Sequence, residues 1–288
     1  MRDTETLISD VVENITSADI IPCVEAGIVP RLDVIYDPNT KNSGDISYLN
    51  SLRRASKRYG IDIYEHKTSS PEDAAQGAMQ AMDGGKTDGI IVISNYGAYT
   101  QYLRNMISPE FDVDGLSQMS IGKLHLGCGD AAPCTPIACM ETIKECFSRC
   151  GITMTGKKIA VIGRSLRVGR PLAELALQED MTVSVYHSKS NIKPYELDGF
   201  DVIVSAIGKY HHWGLNEIPD GKFLIDVGTN YDPITDSWGG DFNYDELYDN
   251  EKYITPSPRG IGQVTTAVLC GKVCKHAKAK YDDMMEQL

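Results

Sequence analysis

Short apolar runs alternate along the first third of the chain with longer segments in which apolar residues recur at helical spacing. This pattern predicts three strands and two helices, at Arg31–Tyr36, Ser47–Tyr59, Ile61–Tyr64, Pro71–Met82 and Gly89–Ile93 in chain order. The last strand is fully apolar, which is typical of a parallel sheet covered on both faces. The first part of the chain is therefore predicted to form a small β-α-β-α-β unit.

The second half repeats the alternation after a predicted loop from Pro109 to Pro136 and a predicted helix over Ile137–Cys150. Four more strands are predicted, at Lys158–Ile162, Thr182–Tyr186, Asp201–Ala206 and Phe223–Val227. A helical tail follows, from Thr265 to Met285. Parallel strands with helices between them are typical of one half of a doubly wound α/β fold.

Composition narrows the class of protein. The chain has 288 residues, enough for two domains with cores of their own, and 42% hydrophobic with 24% charged residues is typical of soluble globular proteins. The net charge of −12 disfavours a nucleic-acid partner. No apolar run approaches the ~18–20 residues of a membrane span, and the polar N-terminus lacks a signal sequence, so we expect a cytoplasmic protein with no membrane partner.

The eight cysteines are interpreted as reduced thiols. Two pairs, Cys146 with Cys150 and Cys270 with Cys274, are four residues apart on predicted helices, but no histidine or further pair lies nearby at zinc-site spacing. A secreted disulfide scaffold would be shorter and denser in cysteine. We therefore predict core thiols and no metal site.

The most informative segment joins the predicted strand at Lys158–Ile162 to a helix. Glycines there would let the backbone approach a phosphate closely, and a helix N-terminus offers N–H groups to an anion. Arg164 adds a cation and Ser165 a hydroxyl, which suits a dinucleotide with an extra phosphate. The alternative is a plain strand-to-helix turn. The candidate cofactor residues in this segment are Gly163, Arg164, Ser165, Val168, Gly169 and Pro171.

The end of the next predicted strand bears on the choice between NADP and NAD. Enzymes that use NAD often carry an acidic residue here, which binds the ribose hydroxyls. This chain has His187 and Ser188 instead, with Lys189 beside them. A carboxylate would repel a 2′-phosphate whereas these residues would not, so NADP is favoured over NAD. The alternative is that they are surface polar residues at a strand end.

Five segments in register resemble the bifunctional methylenetetrahydrofolate dehydrogenase/methenyltetrahydrofolate cyclohydrolase family, the FolD-type enzymes. They are Asp112–Gly115 with Gly122–Leu124, Pro133–Pro136, Gly163–Pro171, Ile225–Asn230 and Thr255–Thr265. The resemblance implies two α/β domains with a cleft between them, the second a Rossmann-type doubly wound parallel sheet. It also implies a homodimer, a folate-type small-molecule substrate and NADP-dependent oxidation of 5,10-methylenetetrahydrofolate.

Domain limits and further cofactor residues follow from the same resemblance. We expect a substrate domain over residues 1–145, with a C-terminal helix at 266–288 packing back on it, and a nucleotide domain over 146–265. Ala206, Gly208 and Thr229 would line the nicotinamide side, and Gly262 and Thr265 would belong to a helix N-terminus that closes over the cofactor.

The catalytic positions match the family only in part. Tyr48 matches a tyrosine that contacts substrate, with a half-buried core tyrosine as the alternative. Asp114 matches the aspartate that binds the pterin, with a turn aspartate capping Gly115 as the alternative. Leu52, however, occupies the position of the cyclohydrolase lysine, and Arg53 projects about 100° away round the helix. Leucine cannot transfer protons, so we expect cyclohydrolase activity to be weak or absent.

Two further departures concern substrate binding. The family's glutamine and the Leu-Pro after it are replaced in a wall that includes Ser94. Arg259, beside Pro258, stands where the family has glycine; it would either pair with a carboxylate of the substrate or partly block the pocket. Two alternatives therefore stay open beside the dehydrogenase: an oxidoreductase on the same scaffold acting on a different carboxylate-bearing substrate, and a non-catalytic nucleotide-binding paralogue.

Overall fold

The computed structural model describes residues 4–248 and 253–287 of the chain. Within these ranges, contacts divide the protein into two compact units. The three-stranded unit comprises residues 13–134 and 266–287, and the five-stranded unit comprises residues 4–12 and 135–265. Both units are α/β structures built on parallel sheets, which confirms the predicted fold class.

The three-stranded unit has a parallel sheet of order β2-β1-β3, formed by β1 (Arg31–Tyr36), β2 (Asp62–Lys67) and β3 (Gly89–Val92). The helices from the N-terminus through this unit are α1 (Thr4–Ile15), a π-helical turn (Thr16–Ile20), α2 (Ile21–Glu25), α3 (Ser43–Tyr59), α4 (Pro71–Asp83), α5 (Tyr99–Met106) and α6 (Gln118–His125). The three predicted strands are confirmed; the limits of β1 are as predicted, and those of β2 and β3 shift by at most three residues.

Local capping sets where α3 begins and ends. The Asn42 side chain accepts hydrogen bonds from the N–H groups of Gly44 and Asp45, so the helix starts four residues before the predicted Ser47. It ends at Gly60, whose φ of +70° is a left-handed conformation that glycine adopts without strain. The predicted end of this helix is confirmed, because glycine termination is visible in the sequence.

Helix α7 spans Cys134–Arg149, and the C-terminal helix α10 spans Ile261–Glu286. The C-terminal part of α10 is bound to the three-stranded unit by its lysines. Lys272 donates to the Ala132 carbonyl at 2.7 Å, Lys275 pairs with Asp19 at 3.1 Å, and Lys280 donates to the Gly85 carbonyl at 2.8 Å.

The five-stranded unit has the parallel order β10-β7-β6-β4-β5. Its strands and helices after α7 are β4 (Lys158–Ile162), α8 (Gly169–Gln178), β5 (Thr182–Tyr186), β6 (Val202–Ser205), β7 (Phe223–Asp226), α9 (Tyr244–Tyr248) and β10 (Tyr253–Ile254). An antiparallel hairpin of β8 (Asn230–Asp232) and β9 (Ser237–Gly239) follows β7. Buried apolar residues of β4, β6, β7 and β10 pack with Trp213, Phe242 and Leu247 in the core.

Parts of the predicted element pattern are wrong. The segment from Pro109 to Pro136 contains α6, capped by Ser117, and a 3₁₀ turn at Gly129–Ala131. The four-stranded sheet gains a fifth strand, β10, which is only two residues long and so leaves no periodic pattern. Helix α10 begins at Ile261, four residues before the predicted start.

All eight cysteines are free, and six of them are buried. Burial raises the pKa of the Cys134, Cys146 and Cys270 thiols to about 12 in each case. Cys128, in the three-stranded unit, and Cys150, in the five-stranded unit, are exposed.

A buried ion-pair network ties the sheet of the three-stranded unit together. The Asp33 carboxylate is fully buried; it accepts hydrogen bonds from Arg31 at 2.9 and 3.0 Å and contacts Nε2 of His66 at 2.7 Å. Burial alone would raise the pKa of Asp33, but the hydrogen bonds with His66, Arg31 and Thr87 lower it on balance. Asp33 therefore stabilises the fold in its ionised form.

We expect Asp33→Asn to lower the free energy of unfolding by about 3 kcal/mol at neutral pH, because it leaves two polar side chains without their buried anion. The pKa of Asp33 in the folded state lies below its ordinary value of 3.8. Its contribution is therefore present above that value and is lost as the pH falls through the folded-state pKa. Urea denaturation at neutral pH and down to about pH 3 measures both effects.

The control is Asp83→Asn, which changes an exposed carboxylate at the end of α4. It should leave the stability and its acid dependence unchanged. Equal stabilities of the Asp33 and Asp83 variants at neutral pH would contradict the assigned role of the network.

Candidate functional site

The predicted dinucleotide turn leaves the sheet at Gly163, directly after β4. Gly163 has a φ of +129°, and a Cβ added there would lie 2.6 Å from the carbonyl oxygen of Ala206, at the end of β6. Its N–H donates to the Tyr186 carbonyl at 2.9 Å, at the end of β5. Glycine is required here because the backbone adopts a left-handed conformation and two neighbouring strand ends approach it.

The turn then folds back on itself and enters α8. A Cβ on Gly169, the first residue of α8, would lie 2.0 Å from the Gly163 carbonyl oxygen. The Ser165 hydroxyl accepts the Val168 N–H at 3.1 Å, and Pro171 is buried in the first helical turn. The structure thus brings together Gly163, Ser165, Val168, Gly169 and Pro171 at a helix N-terminus, the arrangement that binds phosphate groups.

Cationic and neutral residues stand beside this turn at the ends of β4 and β5, which are neighbouring strands. Arg164, Ser188 and Lys189 are exposed. His187 shapes its own turn: its N–H donates to the Ser190 hydroxyl at 3.0 Å, and its Nδ1 accepts the Lys189 N–H at 3.1 Å. The segment 187–190 contains no carboxylate, so the local charge is positive.

Two buried carboxylates organise the ends of β6 and β7; we call them the carboxylate pair, Asp226 and Asp241. Asp241 is fully buried, and its carboxylate is surrounded by hydrogen-bond donors. Its oxygens accept the N–H groups of Ile207 at 2.7 Å and Lys209 at 2.8 Å, together with the Ser205 hydroxyl at 2.9 Å and the Asn230 amide at 3.0 Å. One side chain therefore fixes the loop that contains Ala206 and Gly208.

Asp226 in turn fixes Asp241. Its oxygens accept the N–H groups of Gly228 at 2.8 Å, Asp241 at 3.0 Å and Phe242 at 2.9 Å. Burial, with a contribution from the charge of Asp241, raises the pKa of Asp226 to about 7 against the lowering effect of these hydrogen bonds. The Asp226 carboxylate is thus bound to the backbone of the segment that carries Asp241.

Two glycines leave the space that the carboxylate pair needs. A Cβ on Gly240 would lie 1.8 Å from Asp226 Oδ2, and a Cβ on Gly228 would lie 2.3 Å from Asp241 Oδ1. Sequence reasoning missed both aspartates. The available signal was the position of each acid beside or near a glycine, in Asp226-Val227-Gly228 and Gly239-Gly240-Asp241.

The segment before α10 carries the remaining predicted residues of the five-stranded unit. Pro258 and Arg259 are exposed, and Arg259 has a φ of +79°, a left-handed conformation that disfavours a residue with a Cβ. The backbone at this position therefore has a conformation suited to glycine, although the residue is an arginine. Gly262 is exposed and Thr265 is buried in the first turns of α10, and Thr229 is exposed after β7.

Tyr48, Ser94 and Asp114 belong to the three-stranded unit. A cavity of about 310 Å³ lies at the carboxyl ends of its strands and includes Tyr36 of β1, Lys67 of β2 and Ile93 after β3. Open α/β sheets bind ligands at this edge. Ser94 lines the cavity, but its buried hydroxyl accepts the Asp37 N–H at 2.9 Å and so also supports the loop after β1.

Helix α3 presents no amine at the position that the family resemblance assigns to lysine. Leu52 is 1% exposed and belongs to the core. Arg53 lies instead toward β2, where it donates to both oxygens of Glu65 at 2.7 and 2.8 Å. These hydrogen bonds, together with one from the Tyr36 hydroxyl at 2.7 Å, lower the pKa of Glu65. Tyr48 is half-buried on the same helix.

The turn after α5 contains both Asp114 and a second aspartate, Asp112. Asp112 accepts the N–H groups of Gly115 at 3.0 Å and Ser117 at 2.9 Å, and the Ser120 hydroxyl at 2.7 Å. Capping of Gly115 is therefore carried out by Asp112. Asp114 is 9% exposed at the same turn.

Within residues 4–248 and 253–287, no group of three or more histidine, cysteine, aspartate or glutamate side chains is arranged to hold a metal ion. No helix in these ranges is long and apolar enough to cross a membrane.

A parallel sheet, a glycine turn after β4 and the N-terminus of α8 define the five-stranded unit as a Rossmann-type dinucleotide-binding unit. Comparison with known proteins agrees. Residues 133–281 match the family model described as the NAD(P)-binding domain of tetrahydrofolate dehydrogenase/cyclohydrolase. The chain belongs to the tetrahydrofolate dehydrogenase/cyclohydrolase family.

Individual relatives cover nearly the whole chain. The bifunctional protein FolD of Methanoculleus marisnigri is 34% identical over 264 residues, which are 89% of this chain and 90% of the relative. The crystal structure of the bifunctional FolD methylenetetrahydrofolate dehydrogenase/cyclohydrolase from Campylobacter jejuni has a TM-score of 0.83 at 26% identity, over 96% of this chain and 98% of that one. The corresponding bifunctional enzyme from Thermoplasma acidophilum has a TM-score of 0.80 at 26% identity, over 96% and 97%.

We expect Gly169→Ala to lower the free energy of unfolding by about 2 kcal/mol or more, because the added methyl group would meet the Gly163 carbonyl and neither backbone segment can yield easily. Chemical denaturation of the variant measures the loss. Gly199→Ala is the matched control, since a Cβ there meets nothing within 4 Å. Similar stabilities of the two variants would show that the turn is less tightly closed than described.

Proposed function

We propose that this protein oxidises 5,10-methylenetetrahydrofolate to 5,10-methenyltetrahydrofolate with NADP, and that its cyclohydrolase activity is weak or absent. The observation that carries the proposal is the contrast between two sites. The glycine turn at Gly163 and Gly169 is closely formed, whereas the lysine position on α3 holds the buried Leu52.

The oxidation moves a hydride, a proton with both electrons of a C–H bond, from the methylene carbon to the nicotinamide ring. The methylene carbon becomes a cation shared with the two folate nitrogens, and bound NADP supplies the hydride acceptor. The protein needs no base for this step; it has to hold two carbon atoms in contact. In the proposal, Asp114 accepts hydrogen bonds from the pterin, and Tyr48 contacts the same ring.

Hydrolysis of the methenyl product, unlike the oxidation, requires a group that transfers protons, because a water molecule must be activated for attack on the methenyl carbon. A desolvated lysine can do this, whereas leucine cannot. Arg53 is no substitute, since its guanidinium is bound to Glu65 and does not give up its proton at neutral pH. Among the described residues that line the cavity, Lys67 of β2 carries an amine.

Arg259 supports the second candidate, an oxidoreductase that acts on a different carboxylate-bearing substrate. It is an exposed cation held in a strained conformation where relatives of the resembled family have glycine. Retention of a strained arginine is consistent with a role in contacting an anionic group. The homodimer and the cytoplasmic location implied by the family stay predictions.

We expect purified protein to reduce NADP in the presence of 5,10-methylenetetrahydrofolate and to accumulate the methenyl product. Absorbance of NADPH and of the methenyl compound, recorded together, measures both steps. Added methenyl compound should disappear no faster with protein than without it. Catalysed hydrolysis that Lys67→Met abolishes would contradict the proposed loss and assign the proton transfer to that amine.

The same measurement separates the alternatives. Binding of NADP without turnover on the folate would favour either a different substrate or a non-catalytic paralogue. Reduction of NADP by another carboxylate-bearing compound, lost in Arg259→Gly, would establish the different substrate.

We expect the double variant Arg164→Glu, Lys189→Glu to weaken binding of NADP at least tenfold and to leave binding of NAD within twofold, because only NADP carries the 2′-phosphate. Dissociation constants from protein fluorescence measure the change. Lys158→Glu is the control, since it reverses an exposed charge at the opposite end of β4. Equal weakening of NADP and NAD would contradict the proposed preference for NADP.

A further inference from the structure

We propose that Asp241 is a positioning residue for the nicotinamide half of the dinucleotide, acting through the loop from Ala206 to Lys209. The inference rests on the proposed function, because that function assigns Ala206 and Gly208 to the nicotinamide side. Asp241 itself would not touch the cofactor, since its side chain is fully buried and bonded within the protein.

The direction of the peptide groups in this loop carries the argument. The N–H groups of Ile207 and Lys209 point inward to Asp241, at 2.7 and 2.8 Å, and that of Gly208 lies within 3.4 Å of the same carboxylate. In a trans peptide the carbonyl of the preceding residue points the opposite way. The carbonyls of residues 206, 207 and 208 are therefore directed away from Asp241.

The Ala206 carbonyl shows where this outward side lies. Its oxygen is 2.6 Å from the position of a Cβ on Gly163, so it faces the turn that begins the dinucleotide site. A nicotinamide ring carries a carboxamide whose NH₂ group needs acceptors. A row of outward carbonyls supplies acceptors without a side chain, provided that the loop keeps this one orientation.

Asp241 can impose that orientation because it is itself fixed. Asp226 binds the N–H groups of Asp241 and Phe242 at 3.0 and 2.9 Å, and the Asp226 N–H donates to the Thr255 hydroxyl at 2.8 Å. Ser205, which donates to Asp241, also accepts from the Trp213 ring nitrogen at 3.1 Å. Held on several sides, the Asp241 carboxylate leaves the loop with little freedom to turn its peptides.

The test compares whole and partial cofactors on Asp241→Asn. An asparagine places an NH₂ group against inward N–H donors, so at least one peptide of the loop must rotate. We expect the dissociation constant of NADP to rise at least tenfold, while that of adenosine 2′,5′-bisphosphate, which lacks the nicotinamide half, stays within twofold. Asp245→Asn, an exposed acid on α9, is the control and should change neither constant.

The possible outcomes distinguish a failure of the positioning role of Asp241 from a failure of the proposed NADP-dependent function. If the wild-type protein binds neither NADP nor adenosine 2′,5′-bisphosphate, the proposed function fails. If it binds both and Asp241→Asn either binds both normally or loses both equally, the positioning role is wrong and the function stands. Should Asp241→Asn fail to fold, Asn230→Ala and Ser205→Ala each remove one donor to Asp241, and a selective loss of NADP affinity is expected of them too.

Discussion

Burial of two carboxylates side by side is the constraint on which the five-stranded unit depends. Asp226 and Asp241 are buried away from water, so their oxygens must accept hydrogen bonds from donors within the protein. Backbone N–H groups of three separate segments, at residues 207–209, 228 and 241–242, donate hydrogen bonds to these oxygens, and the same bonds hold each segment in place. The need to supply hydrogen bonds to these two carboxylates thereby sets the path of the backbone between β6, β7 and the segment before α9.

This constraint explains why the sheet edge is shaped by backbone atoms more than by side chains. At Gly163, Gly169, Gly228 and Gly240, a carbonyl or carboxylate occupies the place of a side chain. Such a surface offers peptide groups to a ligand at fixed positions. In the proposal, the exposed side chains around it, Arg164 and Lys189, provide the selectivity between related dinucleotides.

In the three-stranded unit, two positions that the family resemblance connects with catalysis contribute to the stability of the fold instead. Leu52 packs in the core, and Arg53 joins α3 to β2 through Glu65, so these positions now contribute to stability. In the proposal, the same unit still holds a flat ring near Tyr48 and Asp114, a task that needs no amine on α3. The proposed loss of one activity and retention of the other thus follow from the different demands of proton transfer and of positioning.

Much of this could be read from the sequence, because strands β3, β4 and β6 are short, mostly apolar runs and the glycine turn lies between a strand and a helix. What could not be read depends on distant residues. Helix α6 is held by Ser117 and the Asp112 turn, and β10 has two residues paired only with β7. Likewise Asp112 and Asp241 resemble ordinary loop acids, and Asp226 an ordinary acid at a strand end, because the partners that bury them are distant in the sequence.

The distribution of thiols has a practical consequence. Six cysteines are enclosed, and burial raises the pKa of their thiols, so they react slowly with alkylating reagents. Cys128 and Cys150 are the exposed two, one on each unit. The natural chain therefore already carries one attachment point for a spectroscopic label on either side, and the separation of its halves in solution could be followed with and without nucleotide, using no engineered cysteine.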